Sequence, residues 1–224
     1  MTIRKYLHSC LLVEENGRKL LIDPGAYSFI EKRLRPEDIG AVDVIAITHP
    51  HLDHYFPDAL KTLARGATII ADKEICAPLA KEGLACEPLR ARKSKTIAGF
   101  KIKALTAPHG PIPADIPHNQ AYLINGKFLH PGDSFSVAGV HPHTKLGVGV
   151  KKCDTLALPV AGPWVKLVDA LAFAKKLKPK HVIPIHDAII KDFMLERIYA
   201  MCKATLEKDG ISFHPLALGE TLET

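Results

Sequence analysis

The sequence predicts an α/β protein in which sheets are covered by helices. Short apolar runs rich in Val, Ile and Leu alternate along the chain with segments of helical apolar spacing. The two halves also share a device. Asn16-Gly17 and Asn125-Gly126 are each flanked by strand-like runs, and each second run enters a Pro-Gly turn carrying an aspartate, "LLIDPG" and "FLHPGD". That repeat points to internal duplication. No linker or low-complexity segment divides the chain, so residues 1–224 are read as a single domain.

The elements follow in order. "IRKYLHS", "CLLVEE" and "RKLLID" are strands around the first Asn-Gly turn, and "DIGAVDVIAIT" is a buried strand ending at Thr48. Pro57 opens a helix through "DALKTLAR", because proline is tolerated in a first turn. "ATIIA" is a strand, "KEICAPLAKEG" a short helix closed by Gly83, and "FKIKALTAP" an alternating strand. In the second half, "QAYLI" and "KFLHPGD" form a hairpin and "TLALPV" a buried strand. "VKLVDALAFAKKLK" is an amphipathic helix, "HVIPIH" a strand, and "DFMLERIYAMCKATLEKDG" a helix that stops at Gly210.

Composition narrows the function classes. The chain is 47% hydrophobic and 24% charged, which is ordinary for a globular protein with a real core. Its apolar runs are far shorter than the roughly 18 residues of a membrane span, and "MTIRKYLHSC" lacks the apolar core of a signal peptide. Cys10, Cys76, Cys86, Cys153 and Cys202 are scattered, with no C-x-x-C, which suggests reduced thiols and a cytoplasmic protein. The formal charge of 30 − 24 = +6 suits an anionic small-molecule substrate. The densest basic stretch, "LRARKSKT", has no interleaved aromatics. It reads as a solvated loop or edge strand rather than a nucleic-acid surface. A homo-oligomer stays open.

One stretch carries chemistry. "HPHLDH" places His49, His51, Asp53 and His54 within six positions, directly after a buried strand. Residues two apart on an extended segment point the same way, so His49 and His51 can meet one ion, and Asp53 and His54 face a second position as the chain turns. A lone His-x-His is more often a surface or hydrogen-bonded pair; four such groups together point to a cation. Competing motifs fail. The chain has no H-E-x-x-H, no deaminase H-x-E with P-C-x-x-C, no G-x-S-x-G and no Walker loop, and "GVG" at 147–149 is a weak glycine pair.

His49-x-His51-x-Asp53-His54 resembles the H-x-H-x-D-H motif of the metallo-β-lactamase superfamily, and the companions that family requires are present in order. "LTAPHG" offers His109, "FLHPGDS" offers Asp133 and "HVIPIHD" offers His186. The resemblance, running from Ile3 to about Leu206, implies a four-layer αβ/βα sandwich. It implies a first ion on His49, His51 and His109, and a second on Asp53, His54 and His186, with Asp133 bridging. Asp23 would support the metal loop through hydrogen bonds. "LLIDPG", "HPGDS", "LPVAG" and "IPIHDA" look most like small metal-dependent hydrolases related to ascorbate-6-phosphate lactonase. That branch uses zinc or manganese, and the mixed nitrogen and carboxylate ligands do not exclude iron.

Two such ions lower the pKa of a bridging water toward ~7, and the hydroxide attacks a carbonyl or phosphoryl centre. Asp53 has the added task of orienting that water. The expected activity is therefore hydrolysis of an ester, lactone or phosphoester. Two other readings are weighed against it: an iron-dependent redox enzyme on the same ligands, and a non-catalytic metal-binding module. Paired sites with a bridging Asp133 argue against the latter, since structural sites are closed by four ligands. Among the remaining histidines, His130 departs from the family pattern and reads as a core residue near the ligand aspartate. His141 and His143 read as surface residues. His118 and Trp164 are the candidates for substrate contact.

Overall fold

The computed structural model describes residues 1–143 and 153–224, and the "GVG" at 147–149 lies outside them. Its strands form two seven-stranded sheets. The first contains β1 (Thr2–Lys5), β2 (Leu11–Glu15), β3 (Arg18–Ile22), β4 (Val44–Ala46), β5 (Thr68–Ala71) and β6 (Cys86–Pro88). The second contains β7 (Ser94–Ile97), β8 (Phe100–Thr106), β9 (Gln120–Ile124), β10 (Phe128–His130), β11 (Thr155–Pro159), β12 (His181–Ile185) and β13 (Ser212–Phe213). A last strand, β14 (Thr221–Glu223), returns to the first sheet and pairs antiparallel with β1.

Helices α1 (Pro36–Ile39), α2 (Pro57–Leu63) and α3 (Lys73–Lys81) bury Ile39, Leu60, Leu63, Ile75 and Leu79 against the outer face of the first sheet. On the far side, α4 (Leu167–Leu177) and α5 (Asp192–Leu206) bury Phe173, Leu177, Cys202 and Leu206 against the second. Between the sheets lies a shared apolar layer, with Ile3, Val13, Ile22 and Val44 from one and Phe100, Tyr122, Phe128 and Ile183 from the other. This is the αβ/βα sandwich. No helix among the described residues is long and apolar enough to cross a membrane.

Both sheets are built in the same sequence of pairings. In each, antiparallel strands (β1 to β3, β7 to β10) give way to parallel ones (β3 to β6, β10 to β13). The change falls at the strand after each Asn-Gly turn. There Asn16 and Gly17, and Asn125 and Gly126, all have positive φ (53°, 73°, 50° and 70°), as a two-residue turn with two left-handed positions needs. The duplicated device is thus a topological fact of the fold.

Three expectations change and one open pair of readings narrows. The strand read from Asp38 starts only at Val44. Pro36 instead opens α1, Asp38 caps it by accepting from the Arg35 N–H at 2.9 Å, and Gly40 (φ 74°) ends it. "LRARKSKT" holds the edge strand β7, one of its two expected readings. β13 and β14, too short for a periodic signal, extend the sheets beyond the last expected helix. Finally, not every thiol is reduced: Cys76 on α3 and Cys86 on β6 form a disulfide, while Cys10, Cys153 and Cys202 are free and buried. The folding of α3 back onto β6 brings that pair together, and spacing alone does not show it.

Candidate metal centre

The seven motif residues converge at one end of the sandwich. They arrive on the loops after β4, β8, β10 and β12, all strands of the shared core. Two groups form. His49, His51, His109 and Asp133 place one ligand-type atom each within 4.8 Å of one another, and so do His8, Asp53, His54 and His186. Asp133 spans both. Its Oδ2 lies 3.5 Å from His109 Nε2 and 3.1 Å from His186 Nε2, and its Oδ1 lies 3.0 Å from His54 Nε2.

The outer hydrogen bonds decide which ring nitrogens face inward. His54 Nδ1 donates to Asp23 Oδ2 (2.7 Å), His109 Nδ1 to the Gly110 carbonyl (2.6 Å) and His186 Nδ1 to the Ala161 carbonyl (2.8 Å). Thr48 donates its hydroxyl to Asp23 (2.6 Å), so that oxygen is free to accept from His49 Nδ1 at 3.1 Å. In their neutral form these rings keep their protons outward and turn four Nε2 lone pairs inward, at carboxylates and at each other. His54 Nε2 and His186 Nε2 are 3.2 Å apart, and His49 Nε2 is 3.1 Å from His51 Nδ1. His109 Nε2 and Asp133 Oδ1 are buried without a hydrogen-bond partner. A buried convergence of lone pairs is unfavourable unless a cation occupies it, so the donor set fits two divalent ions.

The scaffold fixes this geometry tightly. Asp23 accepts from the Thr48 N–H (2.8 Å), the Thr48 hydroxyl and His54 together, with no exposure at all. Gly25 follows in the same turn; a Cβ there would sit 1.8 Å from the Asp53 carbonyl oxygen, so only glycine lets the turn lie against the metal loop. His8, Asp23 and His186 all adopt positive φ (58°, 49° and 66°), placing backbone strain around the centre.

Electrostatics differ from residue to residue. Burial pushes His49 well below the ordinary histidine range, and burial with the His109 ring lowers His51. Burial opposes charge on His54 and His186 too, yet Asp133 and the other carboxylates win, raising His54 well above its ordinary value and His186 to about 9. Asp53 and Asp133 remain far below the usual carboxylate range despite burial, held by hydrogen bonds and the charge of those same histidines. In the absence of a cation, protons on His54 and His186 balance the acids; an ion would displace them.

Other expected residues fall in various places. Trp164 lies against the centre, its indole N–H donating to Asp133 Oδ2 at 2.9 Å. Together with Phe135, Pro108 and His109 it also walls a cavity of about 420 Å³. His118 belongs to neither group; it is exposed, with Nδ1 3.7 Å from Asp72. His130 is a core residue as expected, fully buried, with Nε2 3.1 Å from the Ser9 carbonyl. His143 is exposed beside Asp169 (2.9 Å), and His141 is half-buried at the cavity wall. The residue missed in the sequence is His8, whose Nε2 lies 3.0 Å from Asp53 Oδ2. Burial lowers it to about 4, so it is neutral. A single histidine in a strand-end turn gives no motif.

The family described as "Beta-lactamase superfamily domain" matches residues 2–186. The chain belongs to the metallo-β-lactamase superfamily. Within it, the chain sits among metal-dependent hydrolases. It is 31% identical to a UPF0173 metal-dependent hydrolase of Carboxydothermus hydrogenoformans over 80% of this chain and 81% of that one. It is also 32% identical to Protein Rv0786c of Mycobacterium tuberculosis over 85% of both chains. Among solved structures, Igni18, a metallo hydrolase from the archaeon Ignicoccus hospitalis, superposes with a TM-score of 0.74 at 23% identity, covering 99% of this chain and 98% of that one. The fold also serves other chemistry. CmlA, a diiron β-hydroxylase from Streptomyces venezuelae, has a TM-score of 0.72 at 16% identity, covering all of this chain but 54% of that one.

Proposed function

We propose that this metal-dependent hydrolase works with two ions and cleaves an ester, lactone or phosphoester bond in an anionic small molecule. The observation that supports the reading is the inward convergence of the Nε2 atoms of His49, His54, His109 and His186 on Asp133, whose two oxygens face different histidines. His49, His51 and His109 would hold the first ion, Asp53, His54 and His186 the second, with Asp133 shared. Zinc is the first choice and manganese the second. Such ions supply Lewis acidity and acidify water toward neutral pH.

The chain's own residues supply the rest. Asp53 is the more exposed of the two clustered carboxylates, 17% against 3% for Asp133, so it is the one placed to accept a proton from, and orient, an incoming water. Trp164 holds Asp133 in place by its indole N–H. The cavity walled by His109, Trp164 and Phe135 is lined by both Lys166 and Asp169 and suits a substrate with an apolar portion, while the preference for a negative charge rests on the chain's net charge of +6. A phosphorylated sugar lactone, the class suggested by the resemblance to ascorbate-6-phosphate lactonase, meets only the charged half of that description. We treat residues 1–224 as one domain because both sheets share a core and both halves supply ligands. The Cys76–Cys86 bond removes the reduced-thiol argument for a cytoplasmic location.

A diiron redox enzyme is the second reading, favoured by the shared fold with CmlA. Metal content after purification without an affinity metal column separates the two. Close to two zinc or manganese ions per chain, together with turnover of an anionic ester, lactone or phosphodiester, supports the hydrolase. Predominant iron supports redox chemistry, and failure to take up any ion ends both readings.

A further inference from the structure

His8 lies outside the seven-residue motif, yet it has no solvent exposure and occupies a left-handed backbone position (φ 58°) that a histidine adopts at a cost. Its turn is anchored from several sides. Tyr6 N–H donates to the Cys10 carbonyl (3.0 Å), the Ser28 hydroxyl to the Leu7 carbonyl (3.0 Å), and the His8 carbonyl accepts from His186 N–H (3.2 Å). The imidazole packs 4.1 Å, centroid to centroid, from the His186 ring, and its Nε2 is 3.0 Å from Asp53 Oδ2. One strained residue thus touches two members of the second group.

Its proximity alone allows two roles, an extra metal ligand or a hydrogen-bond donor. The other ring nitrogen decides between them. In His54, His109 and His186 the outer Nδ1 sits on an acceptor, which fixes the proton there and frees Nε2. His8 Nδ1 is buried with no partner. Were His8 a ligand through Nε2, its proton would sit on Nδ1 as a buried donor with nothing to accept it. With the proton on Nε2 it has a carboxylate to receive it, and a carboxylate can only accept.

We propose that His8 is the positioning residue of the second metal position: its Nε2–H donates to Asp53 Oδ2 and holds that carboxylate toward His54 and His186 without itself binding the ion. This rests on the dinuclear reading above, and goes beyond the motif by adding an eighth residue with a distinct task.

Calorimetric titration of metal-free protein with manganese chloride tests it, using wild type, His8→Phe, His8→Gln and His8→Asn. Glutamine can present an amide N–H near the Nε2 position, whereas asparagine is too short to reach Asp53. The expected result is an unchanged first ion in all four. The second ion should be weakened roughly 10- to 100-fold in His8→Phe and His8→Asn and largely restored in His8→Gln. If His8→Phe does not fold, the Gln and Asn pair decides alone. Equal loss in Gln and Asn, or wild-type affinity for both ions in His8→Phe and His8→Asn, overturns the role of His8. Wild-type protein taking up fewer than two ions overturns the dinuclear reading instead, and His8's role with it. Long-range ¹H–¹⁵N spectra of the zinc-loaded protein give a second readout. They should place the proton of His8 on Nε2 and those of His54, His109 and His186 on Nδ1; a proton on His8 Nδ1 makes it a ligand and defeats the proposal.

Discussion

The two halves of the metal centre share Asp133 but differ in construction. The first group takes His49 and His51 from one loop and His109 from another, and burial keeps His49 and His51 below the ordinary histidine range. The second gathers His8, Asp53, His54 and His186 from three distant segments, and its carboxylates raise His54 and His186. Without ions, the first group offers lone pairs ready for a cation, while the second is held together by protons. On the dinuclear proposal, the first position would load directly, whereas an ion at the second would displace protons.

Removing what the halves share should break the comparison entirely. Asp133→Ala deletes the carboxylate facing both groups, so bound metal should fall below one ion per chain. Turnover should drop by at least ~10³-fold while far-ultraviolet circular dichroism stays native. An active, fully loaded variant would sink the site assignment. His51→Ala touches only the first group, and removes its most accessible histidine. The metal count should move from two toward one, with activity down roughly 100-fold; loss of both ions would mean that the two positions are not independent.

How much of this was readable beforehand follows the same division. His49 and His51 of the first group, with Asp53 and His54 beside them, lie in a local motif, since alternate residues leaving a strand face one way. His109, Asp133 and His186 could be named only through family resemblance, because each is one histidine or aspartate after an ordinary strand. His8 was invisible for a tertiary reason. Its turn meets the loop after β12 across a gap of 178 residues in sequence, through the His186 N–H to His8 carbonyl bond. The Cys76–Cys86 bond and the returning β14 escaped notice likewise, as partners chosen by the fold and not by periodicity. His118 is exposed beside Asp72, while the next residue, Asn119, accepts from the Asp133 N–H, so neighbouring positions in sequence face different surroundings.

Acidity sharpens the contrast by a smaller margin. His186 has a folded pKa of about 9 against an unfolded value near 6.5, and His54 is raised as well. A raised folded pKa stabilises below the unfolded value and is lost as pH climbs through the folded one. The metal-free protein should therefore lose thermal stability between about pH 6.5 and 9, by roughly 5–10 °C, whereas the loaded protein, whose protons have been replaced, should not. Second-ion affinity should rise over that interval and first-ion affinity should change little, because His49 and His51 are already neutral. Differential scanning calorimetry and metal titration at pH 6.5, 7.5 and 9 check both. Parallel pH dependence of the two affinities would erase the distinction between the sites.

The smallest expected effect concerns the shared carboxylate. Trp164→Phe keeps an aromatic ring against Phe135 and Gly110 but removes the N–H that donates to Asp133 Oδ2. Both ions should still bind, since the ligands are intact, and Tm should shift by only a few degrees, as the loss of one buried hydrogen bond costs about 1–3 kcal/mol. The signature lies in kinetics. A donor that merely orients Asp133 should lower kcat about 3- to 10-fold with KM nearly unchanged, whereas a tryptophan that mainly contacts substrate from the cavity wall should raise KM. The split between kcat and KM thus tells whether Trp164 belongs to the metal centre or to the substrate cavity beside it.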